Sequence, residues 1–162
     1  MTGKTELSTE DHLKKVQDLL NEYENHLGIK NLLIDQDEVA SIIGMKRSYL
    51  SKLSKTDCGE CAFMLSQYAL FLQKELNKET AVLEWVETNL NHVTGKYMGQ
   101  QGGATLDERR SAVITENSYA RDLFKLRNRV RLKTNSLNFL SQKIQYMSNV
   151  LLNIQGNRNA TT

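Results

Sequence analysis

Apolar side chains recur at alternating steps of four and three residues through the middle of the chain. One seam comprises Leu65, Ala69, Leu72, Leu76, Leu83, Val86, Leu90, Val93 and Tyr97, with Glu79 as its single polar member. A heptad seam of this length is typical of a long helix that packs against another helix. The pattern therefore predicts a long helix over residues 59–98.

A second seam of the same kind runs through the last third of the chain. Its apolar members are Leu123, Leu126, Val130, Leu137, Leu140, Ile144, Met147, Leu151 and Ile154, and Lys133 occupies one seam position. Thr105 followed by Glu108 is a capping-box signature for the start of a helix. The spacing therefore predicts one continuous helix over residues 106–154.

A glycine-rich segment separates the two seams. Residues 99–103 include three glycines, which favour a turn over a continued helix. Two helices joined by a short turn normally pack against each other. We therefore expect an all-α fold built on a long antiparallel helical hairpin, 59–98 against 106–154. The chain contains no proline, the residue that most often breaks a helix, which favours helices of this length.

The remaining residues divide into an N-terminal segment and a tail. A shorter apolar stripe predicts a helix over about residues 8–27. We therefore divide the chain into a small N-terminal helical segment (1–58), the long hairpin (59–155) and a flexible tail (156–162).

Several large apolar side chains lie off both seams. They are Phe63, Phe71, Trp85, Leu132, Phe139 and Tyr146, and the last three repeat every seven residues. A helix with two apolar faces normally packs between partners, and burial contributes roughly 25 cal/mol per Å² of apolar surface. We therefore expect the hairpin to assemble into a homo-oligomer. The residues predicted to serve oligomerisation are Leu126, Val130, Leu137, Leu140, Ile144 and Met147.

Positive charge is concentrated in the last predicted helix. Residues 106–162 carry 10 basic and 4 acidic side chains, whereas residues 1–60 carry 8 basic and 11 acidic ones. Within residues 121–133, six side chains are basic and one is acidic. Cations crowded in this way repel one another unless an anion lies alongside, and nucleic-acid phosphates supply that charge.

The predicted nucleic-acid-binding residues of this run are Lys125, Arg127, Arg129, Arg131 and Lys133. Lys96 and Tyr97, just before the glycines, add a cation and a ring on which a base can stack, as in proteins that hold single strands. Tyr97 also fits the first seam as a core residue. Another interpretation is that the arginines pair with the acidic N-terminal region inside the oligomer, which would make the protein a structural helical assembly.

A different class of function is indicated by residues 38–50. Their pattern resembles a helix-turn-helix, in which Gly44 falls at the turn and Lys46 and Arg47 would begin the recognition helix. The alternative function is therefore a DNA-binding regulator that uses its C-terminal coiled coil to oligomerise.

Catalytic and metal chemistry have little support in the sequence. Cys58 and Cys61 form a CxxC pair, but a structural zinc site needs four ligands and no second Cys or His pair follows at usable spacing. We expect two reduced thiols, no metal, no cofactor and no enzyme activity. No apolar run is long enough to cross a bilayer, and the first residues lack a signal-peptide core. We therefore expect a cytoplasmic protein with no membrane partner.

The order of several short segments resembles a known family. The segments are Ile34-Asp35, Tyr49 to Leu53, Ala62 to Gln73, Asn77-Lys78-Glu79, the glycine-rich break at 99–103 and Glu108-Arg109-Arg110 at the start of the last helix. Their order resembles the recombination mediators of T4-like bacteriophages, the UvsY-like family. The resemblance implies a homo-oligomer, a hexamer or heptamer, that binds single-stranded DNA in the host cytoplasm. It also implies contacts with a single-strand-binding protein and the loading of a RecA-like recombinase.

Overall fold

The computed structural model describes residues 9–26, 34–50 and 52–157. Its elements in chain order are α1 (Thr9–His26), α2 (Gln36–Ile43), α3 (Arg47–Leu50), α4 (Lys55–Met98), α5 (Leu106–Glu116) and α6 (Ser118–Asn157). The described residues contain no strand, which confirms the predicted all-α class. The predicted ends of the first helix, near residues 8 and 27, and most of the predicted tail lie outside the described residues. No helix in the described ranges is both long and apolar enough to span a membrane.

The helix α4 begins four residues before the predicted start at residue 59. Ser54 and Asp57 explain the earlier start, since each side chain accepts a hydrogen bond from the other's backbone amide, at 3.1 Å to Ser54 Oγ and 2.9 Å to Asp57 Oδ2. These bonds also lower the pKa of the Asp57 carboxyl, because they stabilise its charged form. A reciprocal cap of this kind satisfies amides that have no partner within the helix.

The predicted helix 106–154 is two helices, α5 and α6, which meet at Asn117. The backbone of Asn117 is extended, with φ −91° and ψ 115°, and its Oδ1 accepts a hydrogen bond from the amide of Ala120 at 3.0 Å. Asn117 therefore ends one helix and caps the next. The predicted capping box at the start of α5 is confirmed, with Glu108 N donating to Thr105 Oγ1 at 3.2 Å and Thr105 N donating to Glu108 Oε2 at 3.2 Å.

The described residues form two compact units, which we call unit 1 (9–26 and 77–134) and unit 2 (34–50, 52–76 and 135–157). The buried core of unit 2 consists of Val39, Ile42, Ala62, Leu65, Ala69, Leu72, Ile144 and Leu151. It draws on α2, α4 and α6.

Hydrogen bonds show the direction of the helices within unit 2. Side chains of α6 donate to carbonyl oxygens of α4: Gln155 to Lys55 at 3.2 Å, Ser148 to Ala62 at 2.8 Å, and Ser141 to Ala69 at 3.4 Å. Residue numbers rise along α4 as they fall along α6, so the two segments run antiparallel in this unit.

The buried core of unit 1 consists of Val82, Val86, Leu90, Val113, Ala120, Leu123 and Val130. The half-buried side chains of Leu13, Val16 and Leu20 pack α1 against it. Glu24 of α1 also forms an ion pair with Lys78 of α4 at 2.9 Å.

The single polar members of the two predicted seams meet in unit 1. Lys133 Nζ lies 2.5 Å from Glu79 Oε1, so the lysine of one seam is opposite the glutamate of the other. Polar residues at single seam positions fix the register of paired helices, and this pair matches α4 to α6.

Five of the six predicted oligomerisation residues pack inside their own chain. Val130 and Ile144 are buried, and Leu126, Leu137 and Met147 are half-buried against the two cores. Leu140 is exposed. The five packed seam residues therefore stabilise the fold of one chain, and Leu140 is the most exposed member of the set.

Candidate nucleic-acid interface

The basic run 121–133 lies within unit 1 on α6, and two of the predicted binding residues are paired within the chain. Arg127 Nε donates to Glu87 Oε1 at 3.0 Å, and Lys133 is paired with Glu79 as described above. Both carboxylates belong to α4. The pairing predicted by the alternative interpretation, with the acidic residues 1–60, is therefore not the one these two cations make.

Three other predicted residues present free charge. Lys125, Arg129 and Arg131 are exposed, and within the described residues no ion pair neutralises them. We call these three residues the free cations. Lys125 and Arg129 are one helical turn apart and share a side of α6, whereas Arg131 lies about 200° around the helix from Arg129. The free cations therefore do not form a single line.

Lys125 and Arg129 border a cleft between α1 and α6 with a volume of about 320 Å³. Its other lining residues are Glu10, Leu13, Asp122 and Leu126. Two carboxylates therefore lie near two of the free cations, which lowers the positive potential inside the cleft.

Lys96 and Tyr97 lie at a second cleft of unit 1, near the end of α4. Its lining residues are His12, His92, Val93, Lys96, Tyr97, Asn117, Ser118 and Tyr119, and its volume is about 550 Å³. We call it the histidine–lysine cleft. Lys96 Nζ lies 5.2 Å from the centroid of the Tyr97 ring, a cation–π contact. Tyr97 is half-buried and packs against the core of unit 1, so the structure shows the core role that the sequence allowed.

Sequence reasoning missed most of the residues that line the histidine–lysine cleft. His92 is one helical turn before Lys96, so its place on the same side of α4 follows from the spacing. His12 and Tyr119 are brought there by the packing of α1 and by the break at Asn117. No local pattern in the sequence indicates either of them.

The candidate helix-turn-helix has a short second helix. α2 is capped by Asp35, whose Oδ1 accepts from the amides of Asp37 and Glu38 at 3.0 Å each, and Gly44 ends it. α3 has four residues, which is about one helical turn. Recognition helices lie in the major groove and present several side chains to base edges, so this geometry favours the basic run over residues 38–50 as the candidate interface.

The two cysteines lie on one side of α4 in unit 2. Cys58 is fully buried and Cys61 is half-buried, and neither forms a disulfide. No group of three or more His, Cys, Asp or Glu side chains within the described ranges is placed to hold a metal ion. Burial, with smaller contributions from Cys58 and nearby carboxylates, raises the pKa of the Cys61 thiol.

We expect both thiols to react slowly in the folded protein. A raised pKa reduces the thiolate fraction of Cys61 at any pH below that pKa, and the thiolate is the reactive form, while burial shields Cys58. Ellman's reagent at pH 8 should label the native chain much more slowly than the same chain in guanidinium, and raising the pH should speed the labelling of Cys61. Immediate labelling of both thiols in the native protein would contradict the described burial.

No family model, curated protein or solved structure matches this chain. The structure itself defines the class of the protein: an all-α protein whose described residues form two compact units, with exposed cations on α6.

Proposed function

We propose that this protein is an oligomeric single-stranded-DNA-binding protein that acts as a recombination mediator. The observation that carries the DNA-binding part is the exposure of Lys125, Arg129 and Arg131, none of which forms an ion pair with a described residue. Where a strand lies against these side chains, they neutralise its phosphates and release the counterions condensed on it, and that release favours binding.

Self-association is supported by the surface of unit 2. Its exposed large apolar side chains include Phe63, Leu70, Phe139 and Tyr146, and exposed apolar surface of this kind is typical of interaction sites. The antiparallel pairing of α4 with α6 in unit 2 supports a helical hairpin as part of the protomer.

The mediator role rests on the family resemblance. A UvsY-like protein would contact a single-strand-binding protein and help load a RecA-like recombinase onto the DNA that it covers. A test of that step is recombinase filament formation on covered single strands, with and without this protein.

DNA binding itself is tested by the salt dependence of affinity. We expect a labelled oligothymidylate to bind in preference to duplex DNA, without sequence choice. If three cations contact phosphates, the slope of log K against log salt should be about −2, because each contact on a single strand contributes about −0.7. Fluorescence anisotropy measures both quantities, and light scattering with and without oligonucleotide gives the mass of the assembly.

A structural helical assembly is the second candidate. The neutralisation of Arg127 and Lys133 within the chain favours it, although their partners are Glu87 and Glu79 of α4 and not the acidic residues 1–60. That candidate predicts a stable oligomer that binds neither single strands nor duplex at any salt concentration. Tight binding to one duplex sequence, with none to single strands, would instead indicate a regulator.

A further inference from the structure

The histidine–lysine cleft has a donor set suited to an anion. His12, His92 and Lys96 bring nitrogen atoms to it from α1 and α4, and no Asp or Glu is among its lining residues. Within the described part of the chain, no carboxylate forms an ion pair with Lys96. A phosphate group carries several acceptor oxygens and gains most from donors that are charged and not already neutralised.

The same cleft offers aromatic surface. Tyr97 and Tyr119 both line it and both are half-buried. The Tyr119 hydroxyl is a hydrogen-bond donor at neutral pH, and burial raises its pKa further from that range. Nucleobases stack on such rings irrespective of their identity.

The volume of the cleft and its hydrogen-bond donors fit a small ligand that carries both an anionic group and an aromatic ring. A volume of about 550 Å³ falls within the range of sites that hold small molecules. At the start of α6, Asn117 Oδ1 accepts a hydrogen bond from the amide of Ala120, so that amide is not available to an anion. The binding groups are therefore the side chains.

We propose that the histidine–lysine cleft binds a single nucleoside monophosphate unit, with its phosphate at Lys96 and His92 and its base against Tyr119. The unit is either a free mononucleotide or one residue of a DNA strand, and only the second source rests on the proposed function. The cleft is a site distinct from the free cations of α6, so the two can be tested separately.

The chain carries its own reporter for this test. Trp85 is the single tryptophan, and its ring centroid lies 6.5 Å from that of His12, which lines the cleft. The full chain would be titrated with dAMP, deoxyadenosine and inorganic phosphate, following Trp85 fluorescence and the heat of binding. We expect dAMP to saturate the site at a lower concentration than either of its parts.

Lys96→Ala should weaken dAMP binding about tenfold or more, as expected for the loss of one charge-assisted hydrogen bond. Lys143→Ala is the matched control. Lys143 Nζ also lies over an aromatic ring, 5.4 Å from the centroid of Phe139, but Lys143 does not line the cleft. The affinity of Lys143→Ala for dAMP should therefore equal that of the natural chain. Tyr119→Leu, which keeps an apolar side chain and removes the ring, should weaken dAMP more than inorganic phosphate. Circular dichroism verifies that each variant is folded.

Each outcome separates the two sources of the ligand. Binding of dAMP that Lys96→Ala weakens supports the cleft, and competition by dAMP against a labelled oligothymidylate assigns it to the strand. Binding of dAMP without binding of any oligonucleotide leaves a free mononucleotide as the ligand and ends the proposed function. If the natural chain binds oligothymidylate but not millimolar dAMP, the cleft proposal is overturned and the proposed function stands. If Lys96→Ala and Lys143→Ala have the same affinity for dAMP, the cleft proposal is also overturned, and the binding of oligothymidylate alone decides the proposed function.

Discussion

We expect the triple variant Lys125→Glu/Arg129→Glu/Arg131→Glu to bind oligothymidylate about 100-fold or more weakly than the natural chain at about 0.1 M salt. The substitutions replace three attractive contacts with three repulsive ones at the place where phosphates would lie. All three side chains are exposed, so the free energy of unfolding should change little. Anisotropy measures the affinity, and circular dichroism verifies the fold.

A matched control carries the same change in net charge elsewhere. Lys14, Lys15 and Lys52 are exposed, and reversing them together alters the overall charge equally without touching α6. We expect this control to lose a small part of the affinity through its weaker long-range field. If the two triple variants lose the same affinity, general charge rather than the free cations accounts for binding. If neither loses any, the proposed interface is wrong.

The paired cations should behave differently from the free cations. Reversing Arg127 or Lys133 places two carboxylates at the positions of the present ion pairs with Glu87 and Glu79. These pairs are partly exposed, so each contributes at most about 1 kcal/mol. A variant of Arg127 or Lys133 that weakens DNA binding therefore needs its stability measured before the loss is assigned to a DNA contact.

The largest expected effect on stability comes from Leu123→Ala. Leu123 is fully buried in the core of unit 1, and replacing a buried leucine by alanine removes apolar contacts and leaves a cavity. We expect the free energy of unfolding to fall by about 2–5 kcal/mol. Guanidinium unfolding measures the change, and Trp85, which packs against the same core, supplies the fluorescence signal.

Leu132→Ala is the control for Leu123→Ala. Leu132 lies on the same helix but is 70% exposed, so its truncation should change the free energy of unfolding by no more than about 0.5 kcal/mol. A decrease of less than about 1 kcal/mol in the free energy of unfolding of Leu123→Ala would contradict the described core. A loss for Leu132→Ala as large as that for Leu123→Ala would show that another molecule covers this residue.

The sequence allowed the long helices to be predicted because their apolar spacing is regular and their caps use recognised residue pairs. Thr105 with Glu108 was found in this way. The cap of α4, Ser54 with Asp57, has the same spacing, but the apolar seam begins later and placed the predicted start at residue 59. The sequence also showed that Glu79 and Lys133 are polar residues at seam positions, although it did not predict the contact between them.

The break at Asn117 was beyond prediction from local pattern. Asparagine is a moderate helix residue, and the basic run and the seam that follow it gave no reason to end the helix there. The break depends on the Asn117 side chain capping α6 instead of facing solvent. Part of the histidine–lysine cleft depends in turn on this break, since Asn117, Ser118 and Tyr119 line it.

The sequence indicated a crowded basic run, but it did not indicate which of its cations are paired within the chain. Sequence spacing shows that six cations are crowded together, and it does not show which of them meet carboxylates on another helix. Arg127 and Lys133 face α4, whereas Lys125, Arg129 and Arg131 do not pair within the described residues. That division comes from the rotation of α6 about its axis, which the packed core of unit 1 fixes.

The serine contacts of unit 2 have an evolutionary consequence. Ser141 and Ser148 are buried, and each donates to a carbonyl oxygen of the facing helix. A bulky side chain at either position would force the two backbones apart, and the neighbouring leucines and isoleucine would lose their contacts. Descendants of this sequence should therefore retain glycine, alanine or serine at these two positions.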